Sequence, residues 1–165
     1  MTFRKTTQLS AFTLVVAALF AGCGSGSSSS SPTGPSGVNL TGTWAGTFVT
    51  VGSKDAPTPA TWTATQSGTS PTGAFGLTVD NGVKIAGTLS GVMSGSQVAW
   101  TMSFPAGTFT AMGSATCSVN ATGTSPSVTT SSVVVTMTTT FSPTCVGIAT
   151  EAGHTSEVDL LTLTK

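Results

Sequence analysis

The sequence predicts an all-β protein, an antiparallel up-and-down barrel of about eight strands, with a two-sheet β-sandwich as the alternative. Three observations carry that prediction. From Leu40 to the end of the chain, apolar residues alternate with Thr, Ser or Gly, the period-two pattern of half-buried strands. Short turn signals such as Asp80-Asn81-Gly82 and Ser94-Gly95-Ser96 separate the alternating runs, and no apolar stripe of helical period stands between them to supply crossover helices. Charged residues make up only 6% of the chain, so few are available to guard open sheet edges, and barrel closure removes such edges altogether.

The first strand is expected over Thr43 to Thr50, with Trp44 and Phe48 on one face and Thr43, Thr47 and Val49 on the other. A loop through Pro57 and Pro59 leads to a second strand over Thr61 to Gln66, and Gly68 to Pro71 turns the chain. The third strand aligns Phe75, Leu77 and Val79. Asp80-Asn81-Gly82 is a hairpin signal because Asn and Gly accept positive φ. Val83, Ile85 and Leu89 mark the fourth strand, and Val98, Trp100, Met102 and Phe104, ended by Pro105, the fifth. Phe109 to Ala121 reads as a long sixth strand with Cys117 and Val119 on the side of Phe109, and Val128 to Phe141 as a long seventh. Their length suggests a bulge or split. The last strand, Glu157 to Thr164, carries Leu161 and Leu163 and completes a meander. Gly68-Thr69-Ser70-Pro71 recurs as Gly123-Thr124-Ser125-Pro126, which reads as repeated turn chemistry.

Ahead of the barrel, Arg4 and Lys5 precede a short apolar run from Ala11 to Phe20, the pattern of an export leader and too short to favour a membrane span. Three segments follow: residues 1–22 as signal peptide, 23–37 as Cys23 and a Ser/Gly/Pro-rich tether, and 38–165 as one all-β domain. Without the leader, three lysines face five carboxylates, a net charge of −2 with no arginine. No basic stripe of the kind that dominates phosphate-backbone binding can form, so nucleic acid is not an expected partner. Alternation alone would also suit a transmembrane barrel, but polar residues on both strand faces and the absence of tyrosine argue against one.

Leu19-Phe20-Ala21-Gly22-Cys23 resembles the lipobox of bacterial lipoproteins, with Phe20 where that family usually has Leu. The resemblance implies cleavage before Cys23, acylation of Cys23, and a membrane partner reached through the lipid. Gly24 stands where an aspartate retains many lipoproteins at the inner membrane, so the expected location is the cell envelope, anchored to the outer membrane and facing the periplasm or the cell surface. The tether from Gly24 to Gly37 would hold the domain roughly 20 Å from the bilayer. In that oxidising compartment, Cys117 and Cys145 are most simply a structural disulfide, worth roughly 3.5 kcal/mol in the chain-entropy model.

Leu40-Thr41-Gly42-Thr43-Trp44-Ala45-Gly46-Thr47 resembles the opening strand of small lipocalin-like and avidin-like barrels, with Gly42 and Trp44 as the matching residues. There the tryptophan closes the barrel base, which implies that Trp44 is a base plug. The lipobox, serine-rich tether and threonine-rich strands together also resemble uncharacterised environmental bacterial lipoproteins, which implies location and fold.

An interior of about eight strands can hold one small ligand, and Trp62, Trp100 and Phe75 are the candidate lining, although the simpler reading is that these rings fill the core. The first functional expectation is therefore a lipid-anchored envelope lipoprotein whose barrel binds a small apolar or amphipathic ligand. The alternative is a non-catalytic structural or interaction module that contacts an envelope component or glycan through its outer faces. A filled core would favour that alternative. A hydrolase using His154, the one histidine, comes third: no serine stands in a nucleophile elbow, and Asp80 is explained by its turn. Glu151, His154 and Glu157 would gather around a metal only if their segment were helical, whereas Gly153 and the flanking hydroxyl residues favour a polar loop. No catalytic residue, metal or cofactor is assigned.

Overall fold

The computed structural model describes residues 37–79, 82–145 and 155–165. Eight strands form a closed antiparallel barrel in strict meander order: β1 (Gly42–Thr50), β2 (Thr58–Ser67), β3 (Ser70–Thr78), β4 (Lys84–Ser94), β5 (Gln97–Phe104), β6 (Val119–Ser125), β7 (Ser132–Phe141) and β8 (Ser156–Thr164). The all-β, up-and-down barrel is thus the observed fold, and closure by β1 against β8 excludes the sandwich.

Alternation places Trp44, Trp62, Phe75, Leu89, Trp100, Met102, Val133, Val135, Met137, Leu161 and Leu163 inside. Outside, the same alternation lays down rows of hydroxyls. Thr65, Thr72, Ser90, Thr101, Thr122 and Thr138 are successive register partners across β2 to β7. Such rows keep the barrel wet with few charges.

The strands are tilted, as closure requires. Trp44 pairs with Trp62, Trp62 with Phe75 and Phe75 with Gly87, while further round Phe104 pairs with Val119 and Val119 with Phe141. One row of partners therefore climbs from one end of the barrel to the other.

Several boundaries differ from the sequence reading. Pro59 and Pro71 lie within β2 and β3, opposite Thr47 and Gln66; each is the second residue of its strand, where a missing N–H costs least. Phe109 to Ala121 is not one strand: Thr110–Met112 forms a 3-10 turn ended by Gly113 at φ 80°, and β6 begins at Val119. β7 begins at Ser132, and Val128 is buried in the connection before it. The second Gly-Thr-Ser of the repeated tetrapeptide is strand, not turn, with Ser125 buried. Gly82, at φ 75°, keeps the positive φ expected of the β3–β4 hairpin; Asp80 and Asn81 lie outside the described residues.

Candidate functional site

The two ends of the barrel are built differently. At the end where β1 begins, Leu40 is wholly buried and accepts on its carbonyl a 2.8 Å hydrogen bond from Trp44 Nε1. Its own N–H donates to Gln66 Oε1, and Gln66 Nε2 donates to Val38 O and Gly68 O. Lys165 closes over the outside, with Nζ 5.4 Å from the Trp44 ring centroid and a hydrogen bond to Thr41 O. We call this the plugged end.

Above the plug the waist is filled. Trp62 lies 6.1 Å from Trp44 and 5.5 Å from Trp100, the latter edge to face, an arrangement that aromatic quadrupoles favour. Each indole N–H is used: Trp62 Nε1 donates to Leu89 O, and Trp100 Nε1 to Ser125 Oγ, which itself donates to Val134 O at 2.7 Å. Phe75, Phe104 and Phe109 continue the stack, with centroids 6.0 and 5.9 Å apart. Among the described residues no buried side-chain polar atom lacks a partner.

The opposite end, where β1 runs into β2, carries the longer connections. The β5–β6 connection folds over it with Phe109 buried, held by a disulfide between Cys117 and Cys145, 28 residues apart. Thr144 Oγ1 donates to Thr116 O and Ser114 Oγ to Thr144 O, so the bridge sits within a hydrogen-bonded patch.

Below this cap, the inner wall holds Asp159, 0% exposed. Strand parity puts it inside with Leu161 and Leu163, directly opposite Thr50 of β1 and Met137 of β7. Thr50 Oγ1 donates to Oδ1 at 2.7 Å, and Thr139 Oγ1 donates to Oδ2. One carboxyl thereby ties β1, β8 and β7 together at the seam that closes the barrel. Burial raises the Asp159 pKa above the ordinary carboxylate value, and the two threonine hydrogen bonds pull it back only in part. Beside this seam a cavity of about 100 Å³ opens under the β1–β2 loop, lined by Phe48, Val49, Thr50, Ser53, Asp55, Ala56 and Thr58. Thr50 thus lines the cavity and holds the buried carboxyl.

The sequence candidates are distributed as follows. Trp62, Trp100 and Phe75 come together in the filled waist, and Trp44 packs beneath them against Leu40. Cys117 and Cys145 are bonded. Cys23, Glu151 and His154 lie outside the described residues, while Glu157 is the second residue of β8, opposite Thr139. Among the described residues no group of three or more His, Cys, Asp or Glu is placed to hold a metal ion. Sequence reasoning missed Asp159 as a site residue. The signal was there, since in Glu157-Val158-Asp159-Leu160-Leu161 the acid shares the parity of Leu161 and Leu163.

No protein-family model and no curated protein matches the chain. Among solved structures it is similar to one described as the structure of EF1p2_mFAP2b bound to DFHBI, at 17% identity and a TM-score of 0.55. The match covers 76% of this chain and 93% of that one, and at this identity the likeness shows the barrel fold alone.

Proposed function

We propose that the protein is a lipid-anchored envelope lipoprotein, joined to the outer membrane through Cys23, whose barrel binds a small apolar or amphipathic molecule at the end opposite the plug. The observation that carries this reading is the asymmetry of the barrel. One end is sealed by Leu40, Trp44, Gln66 and Lys165, whereas the other combines an interior carboxyl, a cavity and a disulfide-held cap. A buried carboxyl at the mouth gives up hydration that its ties to Thr50 and Thr139 offset only in part, a cost that an aliphatic side chain there would not carry. The similar barrel in the solved structure is bound to DFHBI, which supports ligand binding as a use of this fold.

In this reading Trp62, Trp100 and Phe75 form an apolar floor, and the two tryptophans report occupancy through their fluorescence. Native mass spectrometry of the chain purified from an oxidising periplasm tests it. A retained mass that leaves on denaturation is the expected result. A bare mass, together with tryptophan emission unmoved by a panel of apolar and amphipathic probes, overturns it. For the anchor, Cys23→Ala is expected to move the protein from the membrane fraction to the soluble periplasmic fraction.

A second reading, a non-catalytic interaction module of the envelope, is favoured by a different observation. Val134, Val158 and Leu160 are exposed on the outer face of β7 and β8, and Val51, 59% exposed, adjoins them through its N–H to Val158 O. The filled waist favours the same reading. It predicts co-purification of an envelope component that Val158→Lys abolishes.

A further inference from the structure

We infer that the Asp159 carboxyl is the polar anchor of the ligand site, and that the ligand is a cationic amphiphile: an apolar body bearing a protonated amine or comparable N–H cation. The inference rests on the ligand-binding reading and names the class of ligand.

Among the described residues Asp159 is the one ionisable group in the set of buried polar side chains, which otherwise are Ser114, Ser125 and Thr139. An aliphatic side chain would fill its place on the inner wall at no electrostatic cost, whereas a carboxylate there gives up its hydration. The two threonines compensate in part. Each donates a single hydrogen to a different oxygen, and a carboxylate oxygen accepts more than one. An incoming ammonium would supply a further donor and a positive charge, and an opposite charge at close range favours the ionised form that burial disfavours.

The charge distribution points the same way. The acidic side chains of the described residues, Asp55, Glu157 and Asp159, all sit at the loop-bearing end, and Asp55 lines the cavity. Lys165 sits at the plugged end, over Trp44. The lysines of the loop-bearing end, Lys54 and Lys84, are exposed. A cation approaching the cavity meets the Asp55 carboxylate on its lining, and Thr50, on the same lining, leads to the Asp159 carboxyl behind it. For the apolar body, the cavity offers Phe48 and Ala56, and Phe48 lies opposite Leu161.

The test uses the full chain, with its disulfide formed, and three probes that share one tail: decylammonium, decanol and decanoate, each titrated calorimetrically below its micelle threshold. The expected result is that decylammonium binds at least about ten-fold more tightly than decanoate, the ratio that one pKa unit of differential interaction represents. In Asp159→Asn, which keeps the size of the side chain but removes the charge and exchanges one acceptor oxygen for an amide donor, that ratio falls towards unity while decanol still binds. A purely structural role for Asp159 would weaken all three probes together, and that outcome overturns the inference. Equal binding of ammonium and carboxylate by the unaltered chain overturns it as well, and needs no variant to fold, while leaving the ligand reading intact. Binding of none of the three removes both.

Discussion

At the residue scale, position in the barrel decides the weight of a side chain more than its chemistry does. Ser70 and Ser125 stand in the same tetrapeptide, yet Ser70 is exposed and Ser125 is 0% exposed, accepting from Trp100 Nε1 and donating to Val134 O. Ser125→Ala would strand a buried indole N–H and is expected to cost about 1–3 kcal/mol in urea unfolding. Thr122→Ala, on the exposed hydroxyl row, should stay within about 0.5 kcal/mol. Nothing in the local sequence separates the two serines; only the register that sets Trp100 near β6 does. Asp159 gives the second prediction at this scale. Its pKa is raised on folding, so the unfolded chain ionises first as pH climbs. The group's contribution is then most favourable below its unfolded value near 3.8, and is lost as pH rises through the folded value. Stability of the unaltered chain should therefore fall between acidic and neutral pH relative to Asp159→Asn, whose side chain does not titrate. A constant difference between the two across that range would contradict the assignment.

At the element scale, the strands were legible because the alternation is nearly unbroken, and the fold class followed from it. The errors lie where parity misleads. Phe109, Cys117 and Val119 share odd numbers and are all buried, but Phe109 and Cys117 lie off the sheet, in the connection that holds the 3-10 turn, and only Val119 belongs to a strand. Thr129 to Ser131 carry strand-like residues in a connection, because Thr and Ser serve turns as readily as strands. The inward glycines were equally unmarked. A Cβ on Gly73 would lie 1.9 Å from Thr63 O, a backbone atom that cannot yield, whereas on Gly76, which shares the outward parity of Thr72 and Ala74, its nearest neighbour is Thr61 Oγ1 at 3.3 Å. Gly73→Ala should therefore cost about 3 kcal/mol or more and Gly76→Ala far less, though both lie in β3. Chemical denaturation of the pair reads this directly. The glycine is needed where neighbouring strands press together as the sheet bends closed.

At the scale of the whole molecule, closure depends on residues close to both ends of the barrel sequence, which packing brings together. β8 completes the cylinder only by pairing with β1, and the seam between them is secured at one end by Asp159 and Thr50, and at the other by Lys165 reaching Thr41 and Trp44. Leu40 belongs to neither strand, yet it is wholly buried and is held by hydrogen bonds to Gln66 and Trp44, so the segment that leads into β1 is part of the core. The sequence suggested Trp44 as a base plug, but it did not indicate that Leu40 is buried beneath that ring. That depends on the side chain of Gln66 turning inward from the next strand. Leu40→Ala is expected to cost about 2–5 kcal/mol, the range for emptying a fully enclosed leucine site. Its effect should also be directional. Opening the plug would let water reach the Trp44 and Trp62 rings and shift tryptophan emission to the red in the native state, before unfolding begins. Leu77→Ala, near the other end, would lower stability without that native-state shift. Equal native emission in the two variants would mean that the ends do not differ in how they exclude water, and would remove the asymmetry on which the ligand reading stands.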